Sequence, residues 1–149
     1  MKNKNKNQFF YLNNKLLILK MKNLTKCVNV RVKYIRPEYN NLKEWMEDPN
    51  NVYIGRKEVV FIDKERYPKE DSIWHNPFRV TKLNDRKFIN NEYKKYIMKF
   101  IKDNNSEGEL LKLKNKNLGC CCHQDESHGN IIVELINNLN KNWVLNNIL

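Results

Sequence analysis

Apolar and polar positions along the chain follow two periods, and they lay out a run of alternating strands and helices. From Cys27 to Lys33, Val28, Val30 and Val32 alternate with Asn29, Arg31 and Lys33, which predicts a strand with one buried face, closed by Arg36-Pro37. Leu42 to Asp48 reads as a short helix stopped by Pro49 and the Asn50-Asn51 turn. Val52 to Gly55 and Val59 to Ile62 read as short strands about Gly55-Arg56-Lys57. A long loop follows, carrying Tyr67-Pro68 and the run Ser72 to Phe78. Trp74 and Phe78 are expected to pin that loop into the core. Asp85 to Lys102 carries Ile89, Tyr93, Tyr96, Ile97, Phe100 and Ile101 at helical spacing, with Asn84-Asp85 as its cap. A short helix is expected over Glu107 to Leu113, a strand over Leu118 to Cys122, and a helix from Gly129 to about Asn140. That helix would bury Ile131, Ile132, Leu135, Ile136 and Leu139, and the tail from Trp143 would pack back as a last turn.

Alternating strands and helices imply an α/β domain. The expected architecture is a single three-layer, Rossmann-like domain with a small, mostly parallel sheet over residues 27–149, preceded by a basic extension, residues 1–26. Apolar content of 40% and charged content of 30% over 149 residues fit one globular domain with a core of its own.

Charge changes the picture at one end only. The net +11 is concentrated in residues 1–36, which hold ten Lys or Arg and no acidic residue; from Pro37 on, eighteen basic residues face seventeen acidic ones. Such an arm can bind nucleic-acid backbones without sequence preference, although abundant Asn and Lys with no Ala also mark a compositional bias that inflates lysine counts. The apolar patches Phe9 to Leu12 and Leu16 to Leu19 are interrupted by Asn13, Asn14 and Lys15. They are too short to span a bilayer and lack a cleavage site, so a non-membrane, cytoplasmic protein is expected. Met21 is an alternative start.

The chemistry gathers in Leu118 to Ile132, which holds Cys120, Cys121 and Cys122 with His123 and His128, three of four cysteines and two of three histidines. Three adjacent cysteines suit a reducing compartment rather than a disulfide framework. Three readings stay open. Cys120, Cys122 and His123 or His128 are soft ligands for zinc, with Cys27 as a distant fourth. The spacing is nonetheless not that of paired C-x-x-C knuckles, and no residue is assigned to a resident metal. In the preferred reading the strand, polar turn and helix start form one wall of a crevice at the strand ends, where anions bind. His128, Cys120 and Cys122 are then the reacting groups, and Asn29, Arg31, Gly55, Arg56, Asn76 and Gly129 hold the ligand. That ligand would be a nucleotide, a nucleoside or a similar phosphorylated molecule; no cofactor is specified. In the third reading the cysteines are strand core and His128 a cap. A nucleic-acid-binding module working through the basic arm, with a structural or zinc-binding cluster, is the alternative function.

The order of motifs also carries a resemblance. Val28-Asn29-Val30-Arg31, Ile54-Gly55-Arg56, Ser72 with Asn76-Pro77-Phe78, a long helix, Leu118-Gly119-Cys120-Cys121-Cys122 and His128-Gly129 resemble the phage, bacterial and large-virus family catalogued as domain of unknown function 4326. The resemblance runs over roughly residues 27 to 140 and implies a shared site rather than a known reaction. Its pattern places a cysteine where this chain has Ser127, an aspartate where it has Asn130 and a tryptophan where it has Cys121. His75 stands where the pattern has a small residue. A viral origin would put the protein in the host cytoplasm.

Overall fold

Strand β5 (Asn117–Cys120) lies between β1 (Lys26–Asn29) and β2 (Asn51–Tyr53), and both neighbours run parallel to it. The computed structural model describes residues 24–122 and 126–148, with side chains as far as Leu139. Register sets Cys27 and Val52 on either side of Leu118, and Asn29 beside Cys120. Successive strand side chains point to opposite faces, so the sheet is apolar on both. Cys27, Val52, Leu118 and Cys120 join one core cluster with Trp74, Tyr93, Ile97, Ile132 and Ile136. Val28, Val30 and Tyr53 join a second with Ile35, Leu42 and Trp45.

The first cluster is covered by α3 (Arg86–Asp103), α4 (Glu107–Leu111) and α5 (His128–Ile148), and the second by α1 (Val32–Ile35) and α2 (Leu42–Glu47). Asp85 caps α3 by accepting from the Phe88 N–H, and Ile89, Tyr93, Ile97 and Ile101 bury its inner face as their spacing predicts. Trp74 is buried and Phe78 packs against the same core, so the loop between them is pinned at both ends. Gly119 lets α2 approach the sheet. A Cβ there would collide with the Trp45 ring and stand 2.5 Å from Val30 Cγ1.

The domain is therefore α/β with several helices, but its strands do not form one Rossmann-type sheet. Three are parallel, and β3 (Val60–Ile62) and β4 (Glu65–Tyr67) make a separate antiparallel hairpin. Asp63 and Lys64 turn that hairpin at φ 51° and 67°, the left-handed pair that a two-residue hairpin turn requires. The strand expected over Cys27 to Lys33 ends at Asn29. Asn29 Oδ1 accepts the Arg31 N–H at 3.1 Å, and α1 begins at Val32. A short polar side chain here offers the backbone a partner outside the ladder. Likewise β5 stops at Cys120 and leaves Cys122 in a bend. The backbone of α5 continues to Ile148, while the side chains of the tail from Trp143 lie outside the described residues. No helix among the described residues is long and apolar enough to cross a membrane.

Candidate metal centre and its pocket

The end of β5 and the start of α5 bring Cys120, Cys122 and His128 together, with one ligating atom from each within 4.8 Å of the others. Each reaches the cluster by a different route. Cys120 is the last residue of the central strand and is buried. Cys122 folds back beyond it, its N–H donating to Cys120 Sγ at 3.4 Å. His128 opens α5, with its ring held edge-on against Tyr93.

The hydrogen bonds around this triad prepare it as a donor set. His128 Nε2 lies 2.9 Å from the carbonyl oxygen of Ile54. A carbonyl only accepts, so Nε2 carries a proton, and the other ring nitrogen, Nδ1, is turned to the side of Cys122. Nδ1 is 3.9 Å from Cys122 Sγ, long for a hydrogen bond and close to the roughly 3.6 Å edge of a tetrahedral zinc site with normal Zn–S and Zn–N bonds. Metal-bound histidines commonly tie their other ring N–H to a carbonyl in this way.

Ser127 organises the sulfurs. Its Oγ accepts from the Cys27 thiol at 3.0 Å and from the Gly129 N–H at 3.1 Å, which occupies both lone pairs. Its own proton is then directed to Cys120 Sγ, also 3.0 Å away. Cys120 thus collects donors, and above all the contact with Cys122 holds it toward the thiolate against the opposing effect of burial. Cys27 and Cys122 are pushed the other way, first by the neighbouring Cys120 sulfur and then by desolvation. Cys121 packs against the second core cluster, and burial raises its thiol.

The triad borders a pocket of about 350 Å³, whose walls include Gly55, Arg56, Asn76, Phe78, Arg79 and Arg86. Arg56 is fixed from behind: Nε and Nη2 both donate to the Asn76 carbonyl, at 2.8 and 2.6 Å, and Nη2 also donates to the Phe78 carbonyl. Desolvation and the neighbouring Arg79 lower its pKa. Asn76 Oδ1 accepts the Phe78 N–H at 2.9 Å. Arg86 is paired with Glu126 at 2.8 Å.

Of the residues singled out from sequence, Cys120, Cys122, His128, Gly55, Arg56 and Asn76 meet at this pocket. Gly129 does not line it: a Cβ there would run into Cys27 and Ile54, and its N–H donates to Ser127. Asn29 lines a different pocket, with Lys26, Tyr39 and Asn117. Arg31 is exposed and outside both. His123 and most of the basic arm lie outside the described residues. Sequence reasoning did not single out the Ile54 carbonyl, Arg79, Arg86 or Glu126. Only the position of Arg79, directly after the pinned loop, was a usable signal.

A small α/β domain with a buried Cys/His cluster able to coordinate a metal defines the class of protein. Residues 38–138 match the family described as Domain of unknown function (DUF4326), and the chain belongs to that family. The match takes in the whole Cys/His cluster and begins after β1, later than the motif order suggested. Neither the curated proteins nor the solved structures contain a match to this chain.

Proposed function

We propose that Cys120, Cys122 and His128 form a centre for zinc or a similar borderline-soft divalent ion, set in the wall of a ligand pocket. The observation that carries this reading is the fixed orientation of His128. Its Nε2–H is committed to Ile54, its Nδ1 lies 3.9 Å from Cys122 Sγ, and Cys120 completes a set whose ligating atoms all lie within 4.8 Å of one another. Thiolate and imidazole are the ligand types zinc prefers, and catalytic zinc sites use three protein ligands where structural ones use four. Among the described residues three are present, and all three line the pocket. A bound ion would polarise whatever filled its remaining position.

Protein purified without chelator and under reducing conditions is expected to hold about one equivalent of zinc per chain, lost in Cys120→Ser and His128→Ala. Wild-type protein that stays far below stoichiometric zinc even after reconstitution would sink the reading.

The pocket supports a nucleotide, nucleoside or related phosphorylated molecule as its ligand, because it lies at the carboxyl end of β5 and presents arginines. Thermal stabilisation by a member of a nucleotide panel, weakened by Arg56→Ala, is the expected result. No shift with any member in zinc-loaded protein would remove that part of the reading.

A further inference from the structure

We infer that Arg56, Arg79 and Asn76 form a clamp for one terminal phosphate in the pocket that Arg86 and Glu126 also line. This rests on the pocket described above and adds the charge state and the attachment point of its ligand.

The cations of the pocket are not equivalent. Arg86 is already neutralised by Glu126. Arg56 is immobilised by carbonyls that use Nε and Nη2, which leaves Nη1. Arg79 has no ion pair among the described residues and stands close enough to Arg56 to oppose its charge. Two guanidinium groups held near each other favour an anion beside them. The nearby Asp71, which accepts the Lys57 N–H at 2.8 Å, offsets only part of the Arg56 charge.

Asn76 supplies a neutral donor. Its Oδ1 is taken by Phe78 N–H, and among the described residues Nδ2 donates no hydrogen bond to a protein acceptor. A fixed guanidinium, a free one and an amide N–H converging on one space suit the oxygens of a phosphate monoester, which is dianionic or nearly so at neutral pH. The volume of about 350 Å³ sits at the lower end of small-ligand pockets, which favours one compact molecule over a polymer.

Inorganic phosphate, AMP and adenosine titrated into the zinc-loaded full chain test the clamp. Phosphate and AMP are expected to bind saturably, with adenosine at least about tenfold weaker than AMP. Arg79→Gln should cost AMP binding about tenfold, and Arg79→Lys should recover part of it. Asn76→Asp keeps the oxygen that Phe78 needs, replaces the amide donor with a charge, and should abolish binding.

AMP binding equally well to Arg79→Gln overturns the inference, as does the absence of phosphate and AMP binding at millimolar concentration. So does an oligonucleotide without terminal phosphates that outcompetes AMP. The same titration on zinc-free protein separates the two readings. Phosphate binding that depends on Arg79 with no zinc ever bound leaves the clamp and removes the metal centre. Stoichiometric zinc with no phosphate binding does the reverse.

Discussion

His128 donates its Nε2–H to the carbonyl of Ile54, a residue seventy-four positions earlier in the chain, at 2.9 Å. The bond joins the start of α5 to the residue that follows β2 and fixes the direction of Nδ1. His128→Ala should remove a ligand and leave a buried carbonyl unpaired, a loss of about 1–3 kcal/mol. Urea unfolding with and without a zinc chelator separates the two effects. The chelator should lower the midpoint of the wild type and leave that of His128→Ala unmoved.

Ser127 is the shared partner of Cys27, Cys120 and the Gly129 amide. Ser127→Ala leaves those groups without their common partner in a buried site and should cost about 1–3 kcal/mol. Ser127→Cys places a third sulfur beside Cys120. It should keep the fold and slow zinc transfer to a chromophoric chelator severalfold, since four ligands hold zinc more tightly than three. Transfer as fast as in the wild type would mean that position 127 faces away from the metal.

At position 129 a Cβ would run into the Cys27 sulfur and stand 2.8 Å from Ile54 Cδ1. Gly129→Ala should therefore destabilise by about 1–3 kcal/mol, the usual cost of overpacking a core. Trimming the obstacle in Cys27→Ala/Gly129→Ala should restore part of it. A coupling energy near zero in the double-mutant cycle would show that the strain lies elsewhere.

Acid stability should depend on Asp48. The Tyr39 hydroxyl, 2.6 Å away, and the Asn50 N–H hold its carboxyl below the ordinary value. A depressed folded-state pKa contributes stability above the unfolded value, near pH 3.9, and loses it as pH falls through the folded value. Asp48→Asn should accordingly be less stable than the wild type at pH 7, and the gap should close below about pH 3.9. Urea midpoints at several pH values check this; a gap independent of pH would contradict it.

The long helix was legible because Ile89, Tyr93, Ile97 and Ile101 repeat at its period and Asp85 stands where a cap belongs. The hairpin strand Glu65–Tyr67 was not, because both its first residues are exposed and no apolar alternation marks it. The stretch Cys120 to His128 was legible as chemistry from its residue types alone. Its partners were harder to read. Ile54 contributes a backbone carbonyl, which no residue type announces, and Cys27 arrives from the neighbouring strand by register. Arg79 and Arg86 looked like two ordinary cations among twenty-eight.

By itself the sequence determined the α/β alternation, the family and the region where thiols and imidazoles concentrate, because period, capping and residue type are local properties. The tertiary structure decided which of those groups meet. It divided the strands into a parallel sheet and a separate hairpin. It also carried Asn29 to a different pocket from Cys120 although their backbones are paired. Finally, it aimed His128 at Cys122 by tying the other side of its ring to a distant carbonyl. Those outcomes depend on strand order and on hydrogen bonds between residues far apart in the chain, and a local pattern carries no information about either.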